Sequence, residues 1–370
     1  MDWKFIRNVI IKAVLLLILL NLIFPLVPTT LPGRITAYNR IFPGRPRFPF
    51  GENPAQAYNL SLFDLDAMFA AHLVADRSGT ADELRVFLIG DSSVWGTLQR
   101  PEETLAGLIN QQNLVVCGKQ VTAYNLGYPT ISLMKDLLIL DYALEYQPDL
   151  IIWLVTLEAF PMEKQLTSPI VANNPDRIRE IIQRYDLPLD PQSPELVELS
   201  YWERTILGQR RALADLIRHQ MYGVLWSATG IDQTYPVDFP PAATDFGVEL
   251  DYYGWRPESW DPAMLFLAAL DAGVSAAGDV PLIVLNEPML ISQGENSDLR
   301  YNFFYPRWVY DRYRIALDDH SRQSGWTSLD LWDLIPASEY YTNSAIHLTP
   351  AGERLLSAQV SAAISGIGCP

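Results

Sequence analysis

The sequence predicts an α/β protein: a three-layer α/β/α sandwich on a mainly parallel sheet, carried behind one apolar N-terminal helix. Two observations predict it. From about residue 61, short aliphatic runs alternate with longer segments of helical period, and that order calls for right-handed crossovers between parallel strands. Ahead of them, Val9 to Val27 reads VIIKAVLLLILLNLIFPLV, a stretch that spans about 28 Å as a helix and so can cross a bilayer.

Taken in order, residues 1–8 read as a cytoplasmic tail and 9–27 as a transmembrane anchor. Lys12 lies one turn inside the edge and can snorkel toward Lys4 and Arg7, which favours a cytoplasmic N-terminus and an extracytoplasmic body. A cleaved signal peptide competes with the anchor, but PTTLPGR after Val27 lacks the small-x-small cleavage pattern. Arg34, Arg40, Arg45 and Arg47 follow the helix and reduce the charge contrast, so inverted topology stays open. These arginines and six prolines make 28–60 a Pro/Arg-rich linker, a semi-rigid spacer whose cations suit anionic headgroups.

Residues 61–370 form the folded domain. Strands are predicted at Leu84–Gly90, Val121–Leu126, Leu150–Val155, Pro281–Leu285 and Thr327–Leu331. Helices are predicted near Glu102–Asn110 and over Leu133–Tyr146, Ala263–Ala276, Trp308–Ser321 and Pro350–Ala363. An insertion at about 158–262 is too long for a crossover; it carries predicted helices at Pro175–Tyr185 and Glu195–Met221. Its aromatics Tyr252, Tyr253, Trp255 and Trp260 suit a lid core, a membrane or partner face, or sugar stacking.

Composition removes several function classes. With 49% hydrophobic and 19% charged residues the chain is no disordered polyanion, and a net charge of -16 repels phosphate backbones, so no nucleic acid partner is expected. Four histidines without HExxH spacing and two cysteines without metal-ligand spacing predict no metal, and no organic cofactor is implied.

The chemistry is carried by two segments. In RVFLIGDSSVWG, Arg85 to Gly96, an apolar strand ends in Gly90-Asp91-Ser92, which places a serine at the carboxyl end of a strand, where ligands of open α/β sheets bind. A turn merely capped by Asp91 or Ser92 reads the same way. In NSAIHLTPAGERLL, His347 sits in the loop before a helix that Thr349 caps and Pro350 opens. A neutral imidazole there can take a proton from Ser92 and return it to a leaving group.

Strand-GDS near the start and HLTPAG near the end resemble the first and fifth blocks of the SGNH/GDSL hydrolase superfamily, and Asn125-Leu126-Gly127-Tyr128-Pro129 resembles its glycine block. The resemblance implies a flavodoxin-like fold, Ser92 as nucleophile, His347 as base and then acid, and an oxyanion hole from the N–H groups of Ser92 and Gly127. Two family positions differ. The third strand ends Val155-Thr156-Leu157-Glu158 instead of Gly-x-Asn-Asp, and the acid three residues before the histidine is replaced by Ser344. Asn286 is a candidate for the missing donor and Glu287 for a charge partner. Asn343, Ser344, Asp330 and Asp333 are the candidates to orient His347, with a backbone carbonyl as a further option.

Membrane-anchored members of this superfamily include proteins of cell-wall D-alanylation and polysaccharide O-acetylation. The expectation is therefore a serine esterase or O-acyltransferase acting on an acylated cell-envelope glycan or lipid. The alternative is a catalytically degenerate scaffold that binds or assembles with a membrane protein partner. In this topology Cys117 and Cys369 fall near the same sheet edge, where a disulfide is plausible.

Overall fold

The computed structural model describes residues 2–27, 44–50, 63–75, 82–229 and 239–368. Helix α1 (Trp3–Ile23) starts earlier than the predicted span because Asp2 caps it, accepting from the Lys4 N–H at 3.0 Å. A short 3-10 turn, Phe24–Leu26, continues it, and no residue of α1 is buried.

Most of the predicted linker lies outside the described residues, but its 44–50 segment is no free spacer. Arg45 bridges to His72, and Phe48 is fully buried. The Arg47 guanidinium donates to the carbonyls of Trp95 (3.1 Å) and Gly96 (2.9 Å) and stacks 4.1 Å from the Trp95 ring centroid. The expectation that Arg47 faces lipid headgroups is thus corrected: an arginine read as surface charge clamps the turn that follows Ser92.

The domain continues through α2 (Leu65–Ala70), β1 (Glu83–Ile89), α3 (Ser92–Trp95), α4 (Leu105–Gln111), β2 (Val115–Val116), β3 (Lys119–Asn125), α5 (Leu133–Ala143) and β4 (Leu150–Val155). The insertion holds α6 (Pro169–Ala172), α7 (Pro175–Arg184) and α8 (Arg210–Thr229). Then come α9 (Ala268–Ala277), β5 (Leu282–Asn286), α10 (Arg307–Ser324), β6 (Thr327–Asp330) and α11 (Pro350–Ser365). The six strands form one sheet in the order β2-β3-β1-β4-β5-β6, parallel except for the β2–β3 hairpin.

Alternation along the strands explains the layers, since successive side chains point to opposite faces. Phe87, Ile89, Ile151, Trp153 and Val284 join one core beneath α5 and α9. Val86, Leu88, Ile152, Leu154 and Ile283 join the other beneath α4 and α11. Both faces are covered, as a parallel sheet requires.

Two predicted helices need correction, and one hairpin lies outside the expected elements. The β2–β3 hairpin was not foreseen: Cys117 (φ 53°) and Gly118 (φ 76°) turn it with two left-handed residues, without an Asn-Gly signature. The helix predicted over Glu195–Met221 starts only at Arg210. Before it, local bonds satisfy the backbone as turns: Ser200 N–H donates to Glu203 (2.9 Å) and Gly208 N–H to Thr205 (3.1 Å). The helix predicted over Ala263–Ala276 is split, with a 3-10 turn at Pro262–Met264 before α9. Cys117 is disulfide-bonded; Cys369, the other cysteine of the sequence, lies outside the described residues.

Candidate active site

Strand β1 runs out at Ile89, and Asp91 caps α3 by accepting from the Ser93 N–H at 2.8 Å. Ser92 is therefore the first residue of a four-residue helix, which Gly96 closes in the left-handed conformation (φ 86°). A serine at this point keeps its hydroxyl at the rim of the sheet. It is half-buried.

His347 arrives from the far end of the chain. Its loop is closed by a bridge between Tyr341 and Leu348, and α11 begins after the Thr349 cap. The Ser92 hydroxyl and His347 Nε2 are 2.8 Å apart, and His347 Nδ1 lies 2.9 Å from Asn343 Oδ1. An amide oxygen only accepts, so Asn343 holds the proton on Nδ1 and leaves Nε2 free to accept from Ser92. Burial pushes the His347 pKa down to about 4, against a smaller upward pull from the Asp91 charge. The ring is thus neutral at neutral pH.

Of the proposed orienting groups, Asn343 is the one that meets the imidazole. Ser344 is buried beside it in the chain, and Asp333 is exposed in the turn after β6. Asp330 is engaged elsewhere, accepting from Asn286 Nδ2 (2.9 Å) and from Arg314 Nε (2.8 Å).

The proposed oxyanion donors fare differently. Asn286 gives one of its two Nδ2 hydrogens to Asp330, and its Oδ1 accepts from Tyr313 at 3.1 Å, so these bonds hold it toward β6 and α10. The Gly127 N–H donates to Asn125 Oδ1 at 3.1 Å, which corrects its assignment as an available donor. Gly127 is needed for space instead: a Cβ there would sit 2.4 Å from the Trp95 nitrogen. The Ser92 N–H opens α3, where helical N–H groups lack partners within the helix. Glu158 accepts from Tyr252 (2.9 Å) and Tyr253 and pairs with Lys164, so it is held as an acceptor. Glu287 takes its bond from the Ser93 hydroxyl, not from His347. Burial and the nearby Asp91 charge push its pKa well up.

Two positioning groups escaped the sequence reading. Lys135, fully buried, donates to the carbonyls of Gly90 (2.7 Å) and Tyr128 (3.1 Å), tying the turns after β1 and β3 together, and pairs with Asp136. Gln99 Nε2 donates to the Leu348 carbonyl at 2.8 Å, which joins the turn after Ser92 to the histidine loop. The sequence pattern of α5 marks Lys135 only as a break in an apolar helix; nothing marks Gln99. Among the described residues no group of three or more His, Cys, Asp or Glu is placed to hold a metal ion.

No protein-family model matches the chain, and no curated protein matches it in sequence. Solved structures with a similar overall arrangement include a protein assigned to the lipolytic G-D-S-L family from Desulfitobacterium hafniense DCB-2. It is 12% identical, with a TM-score of 0.36 over 75% of this chain and 98% of that one. An aryl esterase from M. smegmatis is 14% identical, with a TM-score of 0.33 over 76% and 97%. A carbohydrate acetylesterase from Sinorhizobium meliloti is 12% identical, with a TM-score of 0.34 over 76% and 98%.

Proposed function

We propose that this chain is a membrane-anchored serine esterase or O-acyltransferase of the SGNH type, acting on an acylated cell-envelope glycan or lipid. One observation carries the reading: the relay from the Ser92 hydroxyl through His347 to Asn343, with both contacts under 3 Å. In the first half-reaction His347 Nε2 takes the hydroxyl proton as Ser92 Oγ bonds to the ester carbonyl carbon. The same nitrogen protonates the departing alcohol, leaving an acyl-serine. Water, or a sugar hydroxyl, then attacks that acyl group by the reverse proton path, giving the free acid or a new ester. The Ser92 N–H is the group we assign to the oxyanion.

Anchoring rests on α1, whose 21 residues carry no burial within the domain and extend roughly 32 Å at 1.5 Å per residue. Lys4 and Arg7 at its start favour a cytoplasmic N-terminus, and the disulfide at Cys117 suits an oxidising compartment for the body.

A non-catalytic scaffold is the second reading, favoured by the engagement of the Gly127 N–H and the Asn286 amide away from the site. A serine-reactive fluorophosphonate separates the two. Labelling that disappears in Ser92→Ala supports the enzyme; no labelling of the folded wild-type chain defeats it. Offering a sugar hydroxyl to the acylated protein and weighing transferred ester against free acid then distinguishes transferase from esterase.

A further inference from the structure

One apolar patch on the described surface of the insertion touches the end of α1. Before α8, Trp202 is 68% exposed, with Tyr201 and Leu207 also exposed. On α8, Ile217 and Met221 are 60% and 64% exposed and stand four residues apart, so they lie one above the other on the same stripe. His219, between them in sequence, faces inward and is fully buried. An amphipathic helix of a water-soluble domain buries its apolar stripe. Here the stripe points out.

Two hydrogen bonds fix where this surface sits. The Tyr201 hydroxyl donates to the Leu22 carbonyl, and the Leu207 N–H donates to Asn21 Oδ1 at 2.9 Å. Both acceptors belong to the last turn of α1. Any group bonded to the last turn of a spanning helix lies within a hydrogen bond of the level at which that helix leaves the hydrocarbon. Trp202 and Tyr201 are the side chains that favour that level, and the exposed Arg210 and Arg211 at the start of α8 suit lipid phosphates.

We propose that the 201–207 turn and the outer stripe of α8 form a second membrane contact, an interfacial foot embedded in the leaflet from which α1 emerges. The inference rests on the reading of α1 as a membrane anchor. Trp202, Ile217 and Met221 enter the boundary between headgroups and acyl chains, while Arg210 and Arg211 stay among the phosphates. With two contacts instead of one tether, the domain cannot swivel, and the Ser92 crevice keeps one height and orientation over the bilayer. Its substrate is then one whose ester is presented at that surface.

The test uses the full chain in nanodiscs of phosphatidylcholine and phosphatidylglycerol. Single cysteines are introduced as Met221→Cys, Ile217→Cys, Leu15→Cys and Ile315→Cys and carry an environment-sensitive fluorophore; the described native cysteine is not free. Quenching by nitroxide on the lipid chains is compared with quenching by aqueous iodide. Labels at 217 and 221 are expected to be quenched by a nitroxide near the headgroup and shielded from iodide. The label at 15 responds to a deep nitroxide, and the label at 315, exposed on α10, to iodide alone. If 217 and 221 behave like 315 while 15 stays in lipid, the foot is refuted and the anchor survives. If they are shielded from iodide yet untouched by lipid nitroxide, a protein contact covers them and the foot is equally refuted. A label at 15 that iodide quenches removes the anchor and this inference together.

Discussion

Replacing Asn343 by aspartate puts a charge where the structure has a neutral orienting group, and the consequence can be worked from the geometry. Asn343 Oδ1 lies 2.9 Å from His347 Nδ1. An opposite charge this close shifts a pKa by about 1–3 units, and because Asn343 is exposed, solvent screening selects the low end, about 1 unit or ~1.4 kcal/mol. A carboxylate stabilises the imidazolium, so the shift is upward, from about 4 to roughly 5. Only neutral His347 can accept the serine proton, so the acid limb of kcat/KM for a soluble aryl acetate, followed in a pH-stat, moves up by the same ~1 unit. Well above both pKa values the base is neutral in either protein, and the rate rises by up to about 10-fold because the imidazolium formed in the transition state is stabilised. An acid limb that stays near 4 in Asn343→Asp, with hydrolysis still dependent on Ser92, would show that residue 343 does not govern the base, and the relay would be wrong. As the companion variant, Asn343→Ala loses one neutral hydrogen bond and the tautomer it fixes, for a fall of about 5-fold with the limb nearly unmoved.

Three further outcomes are expected. Gly127→Ala would place a methyl 2.4 Å from the Trp95 nitrogen and 2.8 Å from the Val94 carbonyl carbon; displacing α3 costs about 1–3 kcal/mol in urea unfolding and lowers kcat more than it raises KM. Arg47→Ala removes two charge-assisted bonds to the turn after Ser92, lowering stability by roughly 3 kcal/mol, read as a drop in Tm. Glu353 is buried and its carboxyl is pushed from 4.5 up to about 8, so the folded chain holds a proton that the unfolded chain releases earlier. Stability therefore falls as pH rises from about 4.5 through about 8, and Glu353→Gln should flatten that slope and gain up to ~5 kcal/mol at about pH 9, by urea unfolding.

The strand-turn-helix around Ser92 and the loop before α11 were legible because their signals are local. An apolar run, a capping aspartate, a Thr-Pro helix start and a closing glycine each act within a few residues. Asn343 appeared in the sequence only as one candidate among four, since nothing in a linear chain says which side chain an imidazole will face. Arg47 could not be read at all: its burial depends on the Trp95 and Gly96 carbonyls, far along the chain, and by itself an arginine among prolines reads as solvent-facing. The same holds for Gly127. Its glycine was visible, but its N–H is committed to Asn125 by a turn geometry that the residue types do not dictate.

The bond from Gln99 to the Leu348 carbonyl has a consequence for biosynthesis. Ser92 leaves the ribosome long before His347, and neither side chain is a catalyst alone. Domains assemble as units as the chain emerges, and this one completes its reactive pair only when its last helix docks and Gln99 clasps the incoming loop. Until that docking the two side chains have not met, so on the proposed mechanism the nascent chain is chemically silent, and acquisition of serine reactivity marks the moment at which both ends of the domain come together.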